Sequence, residues 1–469
     1  MNYQNFEYFV ESLLENRKYD QYKCNKIDFK NSVIKTNYLQ LVSDPQLHEF
    51  FLKRKRIFFS SKLTKDHLSH KIKKKNFYQN YLSLSYFKFF LKLTELPYFF
   101  YHLLFNLKFK FNSTFLNKHR KIAVYVNSLK HYYHLKEFLN SIKDKIVFIT
   151  LSKAVLKELP NSEKVYFTTL DISKPAFGLN TKALSKEMYI LKVFKNFIST
   201  NKIKIVIGTE GDCPIFEILC KASKLKNIKS ICVQWGAIPF MKPKLTFDNM
   251  SCNYFFSWGK FFENQLKKKN KEIKFVSTGR KTLLKKIKKK NIITFIMAPP
   301  VPDFPEKYNF DLLEISKYIA RKYDNWDCII RNHPLYEIKK KIKDNFKNLK
   351  FESYYDNPID LSLKKSSIVV GIASSVLIEA IYHNTIPVVY ERNKKHKFYP
   401  RLDKSKIGFI RNDIKSIIVT LENLINDKRK LTKTINSIKI KKFKYFSNIN
   451  KDLNPIIKKE VLKVYNELQ

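Results

Sequence analysis

The chain alternates short apolar runs with longer stretches of helical periodicity, and this alternation predicts strands followed by helices. Strands that alternate with helices form a parallel sheet with helices packed on its faces. The first series of predicted elements comprises strands at Ile122–Val126, Ile146–Thr150, Ile203–Ile207 and Ser230–Gln234, and helices at His131–Ile142, Lys182–Ser199 and Pro214–Leu225.

The alternation restarts after a lysine-rich segment at Leu266–Lys290. The second series comprises strands at Ile292–Met297, Cys328–Arg331, Ser367–Val370 and Pro387–Tyr390, and helices at Asp311–Tyr323 and Val376–His383. Two such series predict an α/β protein with two Rossmann-like domains that face each other across a cleft. Ligands of open α/β sheets bind at the carboxyl ends of the strands, so the cleft is the expected site.

We divide the chain into four regions. Residues 119–288 form the first Rossmann-like domain, for the acceptor, and residues 289–425 form the second, for the nucleotide donor. Residues 426–469 form a helical, lysine-rich tail. Residues 1–118 form a helical, basic and aromatic extension, in which lysine clusters precede the aromatic stretch Tyr81–Phe105. This extension fits either contact with an anionic membrane surface or a helical pair packed on the next domain.

The chain carries 90 Lys and Arg residues against 41 acids, for a net charge of +49. Such an excess favours an anionic partner, although compositional drift towards lysine also contributes. No apolar run reaches the roughly 18 residues of a transmembrane helix, and Met1–Asn16 lacks the pattern of a secretory signal. The six cysteines show no paired spacing, which predicts buried residues in a reducing compartment. We expect a cytoplasmic protein that contacts the inner face of the membrane if the extension binds lipid.

Two acids follow the strand that precedes the helix at Pro214–Leu225. Glu210 lies directly after a buried strand, where a carboxylate needs water, a partner or a substrate proton, so we interpret it as the general base. Asp212 is either the catalytic base in place of Glu210 or the cap of the following helix. Gly208 and Gly211 are interpreted as shaping the bend that brings Glu210 to the cleft.

His333 follows a predicted strand of the second domain, with Arg331 before it and Pro334 after it. Proline fixes the local backbone, and an imidazole there can donate to a phosphate oxygen or protonate a leaving group. Gly371, Ser374 and Ser375 join the next strand to a helix. They predict a phosphate site at a helix N-terminus, with Glu379 one turn further on to accept from a ribose or to complement the helix dipole.

Signatures of other enzyme classes are missing from the sequence, including the Rossmann dinucleotide fingerprint, the Walker loop, the nucleophile elbow and zinc spacings. We therefore expect a group transfer that uses no metal and no resident cofactor.

These motifs together resemble GT-B glycosyltransferases, most of all bacterial surface-polysaccharide enzymes with an HP motif over residues 120–425. This group includes sialyltransferases, capsular Kdo transferases and, more distantly, CDP-glycerol glycerophosphotransferases. His333-Pro334 resembles the HP motif that holds the donor nucleotide, and Ser374-Ser375 resembles the serines that bind the donor phosphate. Gln234-Trp235-Gly236 resembles a turn of the acceptor domain, and Ser277-Thr-Gly279 resembles the interdomain turn.

Two positions depart from these families. Thr209 replaces the first of the two adjacent acids in the sialyltransferase motif, so that only Glu210-Gly211 aligns. Trp235 stands where the glycerophosphotransferases have a catalytic histidine, which argues against that chemistry.

The resemblance implies an inverting transfer from a nucleotide-sugar, with a CMP-sugar favoured, to a capsular, lipopolysaccharide or lipid-linked acceptor. A sugar-nucleotide epimerase of the same architecture is the alternative enzyme. A basic nucleic-acid-binding protein is the non-enzymatic alternative, but the lysines form no recognition helix with base-reading residues, so we expect no nucleic-acid partner.

Overall fold

The computed structural model describes residues 23–24, 27–28, 121–150, 153–159, 164–166, 181–209, 213–237, 247, 249–280, 287–298, 306–333, 336, 338, 347–353, 357–372, 374–392 and 397–467. The predicted helical extension at 1–118 lies outside these residues, except for a short antiparallel pairing of Lys23–Cys24 with Ile27–Asp28. Within the described part of the chain, no helix is long and apolar enough to span a membrane.

The N-terminal domain is built on a seven-stranded parallel sheet. Its strands are β1 Ile122–Val126, β2 Ile146–Thr150, β3 Lys164–Tyr166, β4 Ile205–Thr209, β5 Lys229–Val233, β6 Tyr254–Ser257 and β7 Lys274–Ser277. Its helices are α1 Leu129–Phe138, α2 Lys153–Glu158, α3 Thr181–Thr200, α4 Pro214–Leu225 and α5 Lys260–Lys267, with a 3₁₀ segment at Asn140–Lys145.

The C-terminal domain is built on a six-stranded parallel sheet. Its strands are β8 Lys290–Ile296, β9 Asp327–Arg331, β10 Leu349–Glu352, β11 Ser366–Ile372, β12 Ile386–Tyr390 and β13 Phe409–Arg411. Its helices are α6 Lys307–Lys322, α7 Ile359–Lys365, α8 Ser375–Tyr382, α9 Leu402–Ser405, α10 Ile414–Asn426 and α11 Lys428–Lys441, and a 3₁₀ turn at Lys442–Lys444 follows α11. The two-domain α/β prediction is therefore confirmed.

Both sheets reverse their strand order next to their first strand. The N-terminal order is β3, β2, β1, β4, β5, β6, β7, and the C-terminal order is β10, β9, β8, β11, β12, β13. The chain moves outward in one direction from β1 or β8 and then returns to continue in the other. Each reversal opens a crevice at the carboxyl ends of the two central strands, where ligands of such sheets bind. The two crevices lie at β1 and β4 and at β8 and β11.

Helix α4 packs closely on the N-terminal sheet because one strand residue lacks a side chain. A Cβ atom on Gly208 would lie 2.4 Å from the ring of Phe216. Gly208 therefore makes room for Phe216 within β4, and its role is packing, not the bend that we predicted for it. Cys213, Cys220, Cys232, Cys252 and Cys328 are buried thiols, so the predicted burial is confirmed for these five residues.

The predicted tail returns to the N-terminal domain. Its last helix, α12 Leu453–Asn466, buries Leu453, Ile457, Val461 and Val464 in the same core as β1 and α1. The chain reaches this place through a crossing segment, residues 445–449, which passes two glycines. A Cβ atom on Gly259 would lie 2.4 Å from the carbonyl oxygen of Tyr445, and Gly279 has φ +99° and faces the carbonyl oxygen of Ser447. Side chains at either position would block the crossing.

Candidate functional site

The carboxyl edge of the C-terminal sheet carries the predicted donor residues. His333 follows β9, and Ser374 follows β11, on either side of the central strand β8. His333 is partly exposed, and its carbonyl oxygen accepts from the amide of Tyr336 at 2.9 Å. The Tyr336 hydroxyl donates to Glu306, and burial together with this hydrogen bond raises its pKa to about 12. Pro334 lies outside the described residues.

Ser374 caps helix α8, and its hydroxyl oxygen accepts from the amide of Val376 at 3.3 Å. Ser375 opens the helix, and both serines are partly exposed. Gly371 is buried in β11, where an added Cβ would meet Ile296 at 3.4 Å, an ordinary contact distance. The helix start lies in the crevice between β8 and β11 and presents amide N–H groups and hydroxyls, a combination that suits an anion.

Two predicted nucleotide-binding side chains are held within the protein. Arg331 is 3% exposed, and its guanidinium donates to Glu352, to Ser362 Oγ at 2.9 Å and to the carbonyl oxygen of Asn357 at 2.6 Å. Glu379 is buried, and its Oε2 accepts from Arg280. Arg331 thus anchors the loops beside β9, and its role in nucleotide binding stays a prediction, as does that of Glu379.

A buried charge cluster that no sequence motif indicated lies between the domains. Arg280 follows the Ser277-Thr-Gly279 turn, is 7% exposed, and donates to Asp360 at 2.7 Å as well as to Glu379. Its guanidinium also lies 5.3 Å from the ring centre of Trp258 and 5.6 Å from that of Tyr382. Burial alone would lower the pKa of Arg280, but the two carboxylates raise it above its usual value.

The same cluster contains a histidine that stays neutral. His383 is 5% exposed, and its Nε2 lies 2.9 Å from Asp360 Oδ1. Burial lowers the pKa of His383 to about 4, although Asp360 opposes the shift. Burial also acts to raise the pKa of Asp360, but Arg280 and His383 hold it below its usual value. Near neutral pH His383 is therefore the neutral member of the cluster, beside the cationic Arg280. Asp360 and Glu379 lie 80 and 99 residues after Arg280 in the chain, so no local sequence pattern could reveal the cluster.

The N-terminal crevice lies where β4 ends at Thr209. Glu210, Gly211 and Asp212, which include both predicted catalytic acids, lie outside the described residues. Helix α4 begins at Pro214, as predicted, and the residue in its N-cap position is Cys213. The capping role predicted for Asp212 falls outside the described residues and stays a prediction.

The predicted acceptor turn follows β5. The Gln234 side chain accepts from the Trp258 amide at 2.8 Å and donates to the Gly236 carbonyl at 3.0 Å, so it fixes the turn from within. Trp235 is partly exposed. An added Cβ on Gly236 would find no atom within 4 Å, so this position faces open space. Of the three, Trp235 and Gly236 are partly exposed, whereas Gln234 is buried.

Two histidines beside Trp235 were missed by the sequence prediction. His131 and His134 lie three residues apart on α1, which follows β1, and each packs edge-on against Trp235 with ring centres 4.9 Å apart. His131 is 6% exposed, and its Nδ1 pairs with Asn127 Oδ1. Two histidines spaced by three after a predicted strand were the available signal. Imidazoles on the helix that follows β1 are candidate proton-transfer groups.

Within the part of the chain that the structure describes, no group of three His, Cys, Asp or Glu residues is placed to hold a metal ion.

No protein-family model matches the sequence, and a search of curated proteins finds no significant relative. Solved structures do match. UDP-GlcNAc 2-epimerase from Neisseria meningitidis, bound to UDP-GlcNAc, is 13% identical with a TM-score of 0.50, over 73% of this chain and 99% of that one. The wall teichoic acid polymerase TagF, in its H548A form, is 13% identical with a TM-score of 0.50, over 82% of this chain and 100% of that one. At this identity the similarity shows the fold, which is of the GT-B type.

Proposed function

We propose that the protein is a glycosyltransferase that moves a sugar from a nucleotide-sugar donor, preferably a CMP-sugar, to a surface polysaccharide or lipid-linked acceptor. The observation that carries this proposal is the helix start at Ser374 in the crevice between β8 and β11, with His333 across the central strand. A partly exposed hydroxyl, a helix N-terminus and an imidazole together suit a phosphate ester. The HP-motif group of surface-polysaccharide enzymes is the family that these residues favour.

In the proposed donor site, Ser374, Ser375 and His333 contact the phosphate. Glu379 Oε1 accepts from the ribose, while Arg280 keeps its bond to Oε2 and so orients the carboxylate. The helix N-terminus and His333 then stabilise the negative charge that builds on the departing nucleotide. The protein thereby lowers the barrier to breaking the bond between the anomeric carbon and the phosphate oxygen.

In the proposed acceptor site, Glu210 removes the proton of an acceptor hydroxyl, and Trp235 and Gly236 border the acceptor. The hydroxyl oxygen attacks the anomeric carbon on the face opposite the nucleotide. The new glycosidic bond forms as the bond to phosphate breaks, so the configuration at carbon inverts. Asp212 is the alternative base, and His131 and His134 are placed to contact the same crevice.

Two measurements test this proposal. In a thermal-shift panel of CMP, CDP, UDP and GDP, one nucleotide class should raise the melting temperature, because ligands that bind the folded state stabilise it. Glu210→Gln should keep that shift and lose sugar transfer, whereas Asp212→Asn should keep both. Full transfer by Glu210→Gln would remove Glu210 as the base, and a panel without any shift would remove the donor site.

A sugar-nucleotide epimerase is the second candidate, since one of the matching solved structures is an epimerase with its nucleotide-sugar bound. An epimerase converts the nucleotide-sugar without an acceptor, so incubation with nucleotide-sugars alone separates the two activities. An epimerised nucleotide-sugar formed without acceptor would favour the epimerase. A nucleotide-sugar that stays unchanged without acceptor and is consumed only when acceptor is added would favour the transferase.

A further inference from the structure

Two large apolar side chains stand out of a strongly basic surface at the end of α11. Ile440 is 75% exposed and Phe443 is 65% exposed, the highest values among the large apolar residues described. They are three residues apart, at the junction of α11 with the 3₁₀ turn, where residues at this spacing lie on the same side. They therefore form one protruding pair.

Basic residues surround this pair. Residues 428–444 contain eight Lys and Arg residues and no acid. Lys439 and Lys444 are exposed beside the apolar pair. Arg429 and Lys433 lie on the same helix face as Ile440, because they precede it at spacings of eleven and seven residues. An open groove of about 750 Å³ runs along this face. We call residues 428–444 the basic-apolar surface.

The protruding pair does not result from a loosely held helix end. Ile438 is fully buried, and Tyr445 and Phe446 are 6% and 1% exposed, so the chain is anchored in the core on both sides of the pair. The Lys441 ammonium donates to the Ser405 carbonyl at 2.7 Å, and Lys442 is buried with its ammonium near the Tyr382 carbonyl. Ile440 and Phe443 thus project from a fixed scaffold.

We propose that the basic-apolar surface docks the protein on an anionic lipid bilayer. Lysine and arginine side chains suit the phosphate layer, while Ile440 and Phe443 enter the boundary with the acyl chains. A nucleic acid would also attract the basic residues, but it offers no apolar layer for the central pair. This inference concerns the described C-terminal segment, is independent of the basic extension at 1–118, and does not depend on the proposed function.

The test uses the full-length protein in vesicle flotation with phosphatidylcholine alone and with phosphatidylcholine and phosphatidylglycerol mixed. The wild type should float only with the mixed vesicles and should lose most of this binding when the salt is raised well above about 0.1 M. Ile440→Glu with Phe443→Glu should weaken binding by roughly tenfold or more, because it removes the inserted groups and adds repulsive charge.

The matched control is Leu225→Glu with Val419→Glu, which makes the same change in charge at two apolar residues that are 42% and 46% exposed on other helices. This control should float like the wild type. If both double variants weaken binding equally, net charge alone explains it, and the proposal fails. It also fails if Ile440→Glu with Phe443→Glu floats like the wild type.

A second measurement reports whether the side chain at position 443 enters the bilayer. Phe443→Trp should show a blue shift of the added tryptophan fluorescence with mixed vesicles, after subtraction of the wild-type signal. No shift, despite flotation, would overturn insertion at this surface. A different set of results would assign the surface to nucleic acid. The protein would bind duplex RNA as tightly as mixed vesicles, Lys439→Glu would weaken both interactions, and Ile440→Glu with Phe443→Glu would leave both unchanged.

Discussion

Arg280, which follows the last strand of the N-terminal domain, donates a 2.7 Å hydrogen bond to Asp360 on α7 of the C-terminal domain. The same guanidinium also donates to Glu379 on α8. One buried cation thus joins the segment between the domains to two helices of the C-terminal domain, one of which begins at the predicted phosphate site. The cluster therefore ties that helix to the segment between the domains.

Replacing Arg280 should destabilise the protein strongly. Arg280→Met leaves two buried carboxylates without their cation, and removal of one partner of a buried ion pair costs about 3–5 kcal/mol. Asp360→Asn in the Arg280→Met background should cost less than in the wild type, since the charge that it removes is already uncompensated. Denaturant unfolding of the single and double variants measures this coupling. The exposed Arg321→Met should change stability by less than about 0.5 kcal/mol. Additive losses at Arg280 and Asp360 would contradict the cluster.

Gly208 should tolerate no side chain, because an added Cβ would meet the Phe216 ring at 2.4 Å. Gly208→Ala should cost about 1–3 kcal/mol of unfolding free energy, as overpacked cores do. The loss should be smaller when Phe216→Leu is already present. Gly236→Ala is the matched control, because it meets no atom within 4 Å, and it should leave stability unchanged. Thermal unfolding compares the wild type with the four variants, and an equal loss at both glycines would contradict the packing role.

His383 should make stability depend on pH in the acidic range. Burial lowers its pKa from 6.5 to about 4 in the folded protein. Between these two pH values the unfolded chain binds more protons than the folded protein, so the free energy of unfolding rises with pH. The contribution of His383 to stability is therefore lost as the pH falls from 6.5 to about 4. The integrated change is on the order of 3 kcal/mol. His383→Gln should lose this part of the pH dependence and should parallel the wild type above about pH 7. Identical slopes for both proteins below pH 6.5 would show that His383 titrates normally.

Ser374 should serve both the helix and the donor, and two variants separate these roles. Ser374→Ala removes the cap and should cost about 1 kcal/mol of stability. Ser374→Asp keeps a capping oxygen but places a carboxylate at the proposed phosphate position, so it should retain stability and abolish nucleotide binding. Thermal unfolding with and without the nucleotide measures both effects. Normal nucleotide binding by Ser374→Asp would show that Ser374 does not face the phosphate.

The sequence predicted the central strands well because they are buried on both faces and appear as continuous apolar runs, as at Ile122–Val126 and Ile146–Thr150. Helix α4 matched its prediction at both ends because Pro214 marks its first turn. The short outer strands Leu349–Glu352 and Phe409–Arg411 carry charged residues and escaped notice.

Long-range relationships were out of reach of the sequence. The placement of His333 and Ser374 at one edge of the sheet was expected, because each residue follows a predicted strand of the same parallel sheet. The pairing of Glu379 with Arg280 and the packing of His131 and His134 on Trp235 join distant segments, and only the folded chain brings them together.

The crossing at Gly259 and Gly279 has a consequence for synthesis on the ribosome. The N-terminal domain is translated first, yet one wall of its core is α12, which follows the whole C-terminal domain in the chain. Until α12 emerges, β1 and α1 expose the apolar surface that Ile457 and Val461 later cover. The domain that is made first is therefore completed last, and its partly open core must stay out of aggregates while the second domain is translated.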